Sequence, residues 1–240
     1  MSPPGQALAS GPPWHVRLAF RMLMVLVYAI VSTSVVDVFM TKGALYEGAS
    51  PEYAFESMVD GTAHRPFAYR VGMPWLLRTT DAALPEAARA IALERGRELV
   101  ERYSQLPGEH AWREGHLRAY LYVYLWMHGF ALAALFAFRA LTAAVFPGDA
   151  MLRDAGPVLF GVVWPLAFMN GGFMYDFPEM AALPIVLALA WTRRYAWLVP
   201  VIVVAVLNKE TAALTVPMVA VVVARRDPTR SEEHTSELQS

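Results

Sequence analysis

Residues 170–179 read Asn170-Gly-Gly-Phe-Met-Tyr-Asp-Phe-Pro-Glu179 and lie between two strongly apolar runs, 157–168 and 180–191. The glycine pair favours the end of one helix, and Pro178 suits the first turn of the next. If both apolar runs cross a bilayer, this polar segment is a tight turn at one face of the membrane. Charge held at that depth is costly unless it is solvated, paired or used, so the two carboxylates of this turn are candidates for a functional site. The alternative is that they are merely part of a hydrated turn.

The composition indicates a membrane protein. Of 240 residues, 56% are hydrophobic and only 17% are charged, whereas a soluble domain has about a quarter charged residues. The apolar residues are gathered in long runs instead of being spread along amphipathic faces. A net charge of −1 implies no nucleic-acid partner, and the absence of cysteine excludes disulfides, thiolate metal sites and a cysteine nucleophile.

The apolar runs predict an all-α, polytopic membrane protein with about six transmembrane helices. The predicted spans are 22–40, 119–145, 157–173, 180–192, 195–207 and 212–224. Arginines fall at alternate ends of these runs, and the positive-inside rule places them, together with the N-terminus, in the cytoplasm. These arginines are Arg17, Arg21, Arg139, Arg153, Arg193, Arg194, Arg225 and Arg226.

The two ends of the chain are predicted to lie outside a membrane domain of residues 17–229. Residues 1–16 include a segment rich in Pro, Gly and Ser and are expected to be disordered. Residues 230–240 match the in-frame translation of a widely used short-read sequencing adapter, although an ordinary polar tail is the alternative. On the adapter interpretation, the sequence is the N-terminal part of a longer protein.

Residues 41–118 are predicted to form a long extracytoplasmic loop with helices lying along the membrane. Residues 66–77 mix aromatic and apolar side chains with Arg70 and are too few to span a bilayer, which favours an interfacial helix. Residues 85–106 have helical periodicity, and their charged side is expected to face water. The predicted apolar side comprises Ala88, Ile91, Ala92, Leu99, Tyr103 and Leu106.

Polar residues that could bind an anion are expected at the outer face. Asn208 is predicted to be the N-cap of the last span, so that a helix N-terminus and the adjacent Lys209 together suit a phosphate. The alternative is that Lys209 and Glu210 form only a polar hairpin tip. Arg65 and Arg70, in the interfacial segment, suit a phosphate or a lipid headgroup.

Three carboxylates, on Asp37, Asp176 and Glu179, are expected near the same plane. A carboxylate can remove a proton from an incoming hydroxyl or hold a divalent cation through its oxygens. Asp37, in the last turn of the first span, could instead simply reach water. His128, inside the second span, is either a packed, hydrogen-bonded histidine or a functional one.

Three segments resemble those of a group of bacterial multi-pass membrane proteins. They are Arg65-Pro-Phe-Ala-Tyr-Arg-Val-Gly-Met-Pro-Trp75, Tyr175-Asp-Phe-Pro-Glu179 and Asn208-Lys-Glu-Thr211. Those proteins are in turn similar to the GT-C class of membrane glycosyltransferases, which use polyprenyl-phosphate sugars. The resemblance covers roughly residues 17–226.

The resemblance implies a catalytic acid just after the first span, followed by juxtamembrane amphipathic helices. Asp37 is the nearest match to that acid, and residues 66–77 and 85–106 match the helices. The chain departs from the class in two ways. Asp37 is flanked by Val36 and Val38 instead of a second acid, and six spans are fewer than the class usually has.

The resemblance therefore implies transfer of a sugar from a polyprenyl-phosphate donor at the outer face of the bacterial cytoplasmic membrane. Asp37 would be the general base, and Lys209 with the helix end capped by Asn208 would bind the donor phosphate. Asp176 and Glu179 would support a divalent cation or the acceptor. Membrane lipid is the expected partner, and protein partners are left open. The alternatives are a non-enzymatic, flippase-like transporter of lipid headgroups and a scaffold subunit.

Overall fold

The computed structural model of the protein describes residues 13–42, 54–64, 70–104, 112–168 and 173–226. The predicted all-α class is confirmed, because these residues form helices and turns and contain no strand. Within them the α-helices are α1 (Trp14–Lys42), α2 (Phe55–Asp60), α3 (Gly72–Ala83), α4 (Glu86–Ser104), α5 (Leu117–Val145), α6 (Ala150–Val163), α7 (Asp176–Trp191), α8 (Tyr195–Asn208) and α9 (Thr215–Arg226). Short 3-10 turns occur at Glu114–His116, Trp164–Phe168 and Glu210–Leu214.

Two segments of the described chain are long and apolar enough to cross a membrane. They are Trp14–Thr41, with 28 residues and a mean hydropathy of 2.1, and Glu114–Val145, with 32 residues and a mean hydropathy of 1.7. The α-helices at the other four predicted spans are shorter, and the longest, α7, has 16 residues. At about 1.5 Å per residue it is about 24 Å long, against a hydrocarbon core of about 30 Å.

Several helices begin or end at residues other than those predicted. Helix α1 starts at Trp14, inside the segment that was expected to be disordered. Helix α6 starts at Ala150, seven residues before the predicted span, because the Asp149 carboxylate accepts a hydrogen bond of 2.8 Å from the Leu152 N–H and caps the helix. The α-helical bonding ends at Val163, and a 3-10 turn follows in which Pro165 has no N–H to donate.

Helix α5 lies at the centre of the packing and contacts α1, α3, α4, α6 and α7. Its buried side includes Tyr120, Val123, Met127, Ala131 and Ala134. The alanines let neighbouring helices approach the middle of α5 closely, while the larger residues fill the space near its start. Helices α8 and α9 lie outside this core and pack mainly against α7.

The apolar helices alternate in direction, so that their ends meet in two groups. At one end, Phe39 of α1 packs edge-on against Phe177 of α7, with 5.1 Å between ring centroids. At the other end, Arg139 of α5 donates to the Asp154 carboxylate of α6 at 2.7 Å, and Trp191 of α7 donates to the Ala144 carbonyl at 2.9 Å. We call these the Phe177 end and the Asp154 end.

Two arginines of the Asp154 end, Arg139 and Arg153, are ion-paired with Asp154. Arg153 donates to the same carboxylate as Arg139, at 2.7 Å. These hydrogen bonds, with that from Arg153 the strongest, hold the pKa of Asp154 below its usual range in spite of burial. The pair of arginines thus also ties α5 to α6.

Helices α2, α3 and α4 cover the start of α5. Helix α4 approaches so closely that a Cβ on Gly96 would lie 2.2 Å from the Leu117 carbonyl oxygen, which explains a glycine in mid-helix. The prediction of a helix at 85–106 is confirmed within two residues at each end, but the assignment of Ile91 to its apolar side is wrong, since that side chain is 64% exposed. Where an interfacial helix was predicted at 66–77, the structure has a helix at Gly72–Ala83, while residues 65–69 lie outside the described residues; its interfacial position stays a prediction.

Candidate functional site

The Phe177 end carries a cluster of charged side chains centred on Lys209. The Lys209 ammonium lies 2.7 Å from Asp176 Oδ1 and 2.9 Å from Glu179 Oε2. All three side chains are about one-fifth exposed. We call the group comprising Arg70, Tyr175, Asp176, Glu179, Asn208, Lys209, Glu210 and Thr211 the Lys209 cluster.

The two carboxylates belong to the first turn of α7. Asp176 Oδ2 accepts a hydrogen bond of 2.8 Å from the Phe173 N–H, which starts the helix, and Glu179 follows one turn later on the same side. Negative charge is favourable there because it interacts with the positive end of the helix dipole. The hydroxyl of Thr211 donates to Glu179 Oε1 at 2.5 Å, so both acids bind the segment between α8 and α9.

The prediction that Asn208 caps the last span is wrong. Asn208 is the final residue of α8, and its Nδ2 donates to the Tyr175 carbonyl at 2.7 Å. The next helical turn begins at Glu210, with an extended Lys209 at its N-cap position and no side-chain cap. Asn208 is 3% exposed and is used for packing α8 against α7, so it offers no helix N-terminus to a phosphate.

Gly72 allows the start of α3 to pack closely against Asn208 at the end of α8. A Cβ at Gly72 would lie 2.9 Å from the Asn208 Cα and 3.0 Å from its Cβ, so the two segments are in contact as close as a glycine permits. The resulting approach places Arg70, just before α3, next to the segment after α8.

Arg70 holds the interfacial segment to the cluster. Its guanidinium donates to both oxygens of Glu210, at 2.7 and 3.2 Å, and lies 4.4 Å from the centroid of the Tyr175 ring. The Arg70 side chain is 10% exposed, whereas that of Glu210 is 59% exposed. No role was predicted for Tyr175, yet its ring lies under the Arg70 guanidinium and its carbonyl accepts from Asn208.

The two cations of the Lys209 cluster are both paired with carboxylates of the cluster. Burial alone would lower the pKa of Lys209, but hydrogen bonds to Asp176 and Glu179 raise it above its usual value. The Arg70 hydrogen bond is the main reason that the pKa of Glu210 is lowered. With two cations facing three carboxylates, an incoming phosphate must displace a carboxylate, whereas a ligand hydroxyl can donate to one directly.

Asp37 lies near the end of α1 and has a partner outside the Lys209 cluster. Its Oδ1 accepts a hydrogen bond of 2.5 Å from the Tyr103 hydroxyl of α4. Burial, and then that hydrogen bond, raise the pKa of Tyr103 well above its usual value. Phe39, two residues further along α1, contacts Phe177 beside Asp176. Asp37 is therefore near the Lys209 cluster but bound to different partners.

Arg65 and His128 are the two other residues predicted as site candidates. Arg65 lies outside the described residues. The His128 Nδ1 is 2.8 Å from the Tyr124 carbonyl oxygen, and its ring is stacked obliquely on the Tyr124 ring at 4.4 Å. His128 is thus a packed, hydrogen-bonded histidine of α5.

Asp176 and Glu179 do not fit a divalent cation. The Lys209 ammonium is bonded to both carboxylates and occupies the position that a metal ion would take between them. Among the described residues, no group of three or more His, Asp or Glu side chains is placed to hold a metal ion. The cation expected from the sequence is therefore not supported at these acids.

An apolar groove of about 810 Å³ opens beside the cluster. It lies between α3, α5, α7 and α8, and Gly72, Pro178 and Asn208 connect it to the cluster. Its apolar walls include Met73, Trp75, Trp126, Phe130, Ile185 and Val204. The groove was not predicted, because the apolar residues of a membrane span do not reveal which of them face a cavity.

The glycosyltransferase resemblance is carried by three short segments. Residues 175–179 contact 208–211, and Arg70 of the third segment donates to Glu210. The roles that it implies for Asp37 and Lys209 stay predictions. Comparison of the chain with protein-family models, with curated proteins and with solved structures finds no match.

Proposed function

We propose that this protein binds a long-chain lipid whose polar headgroup lies at the Lys209 cluster. The observation that carries the proposal is the 810 Å³ apolar groove, whose lining includes Asn208 of that cluster. An isoprenoid or acyl chain matches the apolar walls, while the carboxylates, Arg70 and Lys209 offer hydrogen bonds to a sugar or phosphate headgroup.

A membrane location supports a lipid ligand. Two helices are long and apolar enough to cross a bilayer, and large apolar side chains of α1 and α8, such as Ile30 and Val199, are more than half exposed. We infer a multi-pass protein of the bacterial cytoplasmic membrane with a cytoplasmic N-terminus and six spans. The four short spans would rely on local thinning of the bilayer and on burial among other helices.

We further propose that the bound lipid is a polyprenyl-phosphate sugar and that the protein transfers the sugar to an acceptor hydroxyl. The acceptor oxygen bonds to the anomeric carbon as the bond from that carbon to the donor phosphate breaks, and polyprenyl phosphate leaves. Asp37 would accept the proton of that hydroxyl, and Tyr103 would orient the carboxylate. The Lys209 cluster would hold the donor headgroup, with the sugar hydroxyls donating to Asp176, Glu179 or Glu210.

A second function, non-enzymatic transport of a lipid headgroup, is favoured by one observation. The Lys209 cluster joins the start of α7 to the segment between α8 and α9 through ion pairs that a headgroup could replace. Exchange of those pairs would loosen two helix ends during passage of a polar headgroup. A transporter would bind the same lipid but would transfer no sugar.

Lipid binding can be tested with two neighbouring positions of α8. Val204 lines the groove and is 67% exposed, whereas Val203 is 51% exposed and lies outside the groove lining. We expect Val204→Trp to weaken binding of an undecaprenyl-phosphate probe about tenfold, the effect of a steric cost of roughly 1–3 kcal/mol. Native mass spectrometry of the detergent-purified protein measures the bound fraction.

Val203→Trp is the matched control and should bind the probe like the wild-type protein. Equal binding by both tryptophan variants would contradict the assignment of the groove to the lipid chain.

A further inference from the structure

A polar cleft of about 400 Å³ lies apart from the Lys209 cluster, between α2, α3, α4 and the start of α5. Its charged and polar lining comprises Asp60, Arg78, Asp81, Arg89, His116, Arg118 and Tyr122. Three arginines and a histidine thus face two aspartates, which gives the cleft an excess of positive charge. Neither the groove nor Asp37 belongs to this cleft.

The two carboxylates of the cleft already have partners. Arg118 Nε lies 2.9 Å from Asp81 Oδ1, and the Tyr122 hydroxyl donates to the same oxygen at 3.0 Å. Asp60 Oδ1 lies 3.0 Å from His116 Nε2. These contacts occupy the acids without using the other two arginines.

Arg78 and Arg89 are left with spare donors. Arg78 Nη1 donates to the Val59 carbonyl at 3.2 Å. The Nε of Arg89 is buried and has no acceptor among the described residues, and the same holds for the second ring nitrogen of His116, Nδ1. A buried guanidinium N–H without an acceptor is costly.

We propose that this cleft binds an oxyanion the size of a phosphate group. The guanidinium groups of Arg78 and Arg89 line the cleft, and planar guanidinium groups suit oxyanions because they donate through two parallel N–H bonds. The excess positive charge of the lining attracts such an anion before contact is made. The phosphate can be that of a soluble molecule or that of a lipid headgroup, since both present the same oxygens.

The test uses the purified full chain in detergent with two probes, inorganic phosphate and short-chain phosphatidic acid. Isothermal titration measures their dissociation constants for the wild-type protein, for Arg89→Gln and for Arg95→Gln. Arg95 is the matched control, because it lies on the same helix but forms an exposed pair with Glu98 at 2.7 Å, outside the cleft. We expect Arg89→Gln to bind at least about tenfold more weakly and Arg95→Gln to bind like the wild type.

The outcomes separate the two sources of phosphate from a purely structural role. Binding of both probes with this dependence on Arg89 indicates a soluble phosphate group, and binding of phosphatidic acid alone indicates a headgroup. If neither probe binds the wild-type protein, or if Arg89→Gln binds equally well, the proposal is overturned. If Arg89→Gln does not fold, Arg89→Lys takes its place. This variant keeps the positive charge but lacks the planar pair of N–H donors, so it is also expected to weaken binding.

Discussion

At the scale of single residues, Asp37 is the carboxylate whose surroundings bear most directly on catalysis. One of its oxygens accepts from Tyr103, and the side chain is half-buried near the end of α1. A single strong donor orients a carboxylate while leaving it able to accept another proton. That environment suits a general base better than a carboxylate that reaches only water.

We expect Asp37→Asn to lower sugar transfer by about 10²–10⁴-fold, the usual loss for a general base, because an amide cannot accept the proton. Binding of undecaprenyl phosphate should be unchanged, since Asp37 contacts neither the groove nor Lys209. The measurement is single-turnover transfer from a radiolabelled polyprenyl-phosphate sugar by the full-length protein. Asp149→Asn is the control, because asparagine also caps α6 well at the Asp154 end.

A wild-type rate for Asp37→Asn would rule out the general-base assignment. Absence of transfer by the wild-type protein, together with intact lipid binding, would favour the transporter.

At the scale of helices, Lys209 links α7 to the segment between α8 and α9. Without the ammonium, Asp176 and Glu179 would face each other as like charges with little exposure to water. The raised pKa of Lys209 means that its contribution to stability is fully present below the pKa of an unfolded lysine, which is 10.5. That contribution is lost as the pH rises through the higher pKa of the folded protein.

We expect Lys209→Met to lower the free energy of unfolding by about 1–3 kcal/mol, because it leaves hydrogen-bonded carboxylates without their donor. Adding Asp176→Asn should recover part of the loss, since it removes one of the repelling charges. The readout is the thermal midpoint in detergent at pH 7. Arg95→Met, which breaks an exposed pair, should change the free energy of unfolding by at most about 0.5 kcal/mol.

An unchanged midpoint for Lys209→Met would mean that the cluster does not hold these helices together. In that case its charges would be available to a ligand at little cost to the fold.

At the scale of the whole molecule, the alternation of helix directions predicts which turns share a side of the membrane. Thr62 and Ala213 are exposed near the Phe177 end, whereas Gly148 and Thr192 are exposed in turns at the Asp154 end. The chain has no cysteine, so each position can carry a single cysteine as a label.

We expect a membrane-impermeant thiol reagent to label Thr62→Cys and Ala213→Cys in intact cells. Gly148→Cys and Thr192→Cys should be labelled only after the membrane is permeabilised, because the positive-inside rule places the arginine-rich turns in the cytoplasm. Labelling of Ala213→Cys only after permeabilisation would contradict the six-span arrangement and leave the two long helices as the candidate spans.

Much of the fold followed from local patterns. Long apolar runs and helix-ending residues predicted the all-α class and the approximate positions of the apolar helices. The alternation of apolar runs and polar turns also predicted that 175–179 and 208–211 lie at the same end of the molecule. Helix positions and the order of apolar runs and polar turns depend on residues close together in the chain, so they can be predicted from the sequence alone.

The side-chain partners were decided by the tertiary structure. Asn208 has the residue type of a helix N-cap, but the rotation of α8 directs it to the Tyr175 carbonyl, and Lys209 lies between Asp176 and Glu179. The apolar groove and the arginine cleft likewise depend on how close four helices approach, as at Gly72 and Gly96. Sequence spacing sets which residues share a helix face, whereas the rotation and separation of packed helices set which faces meet.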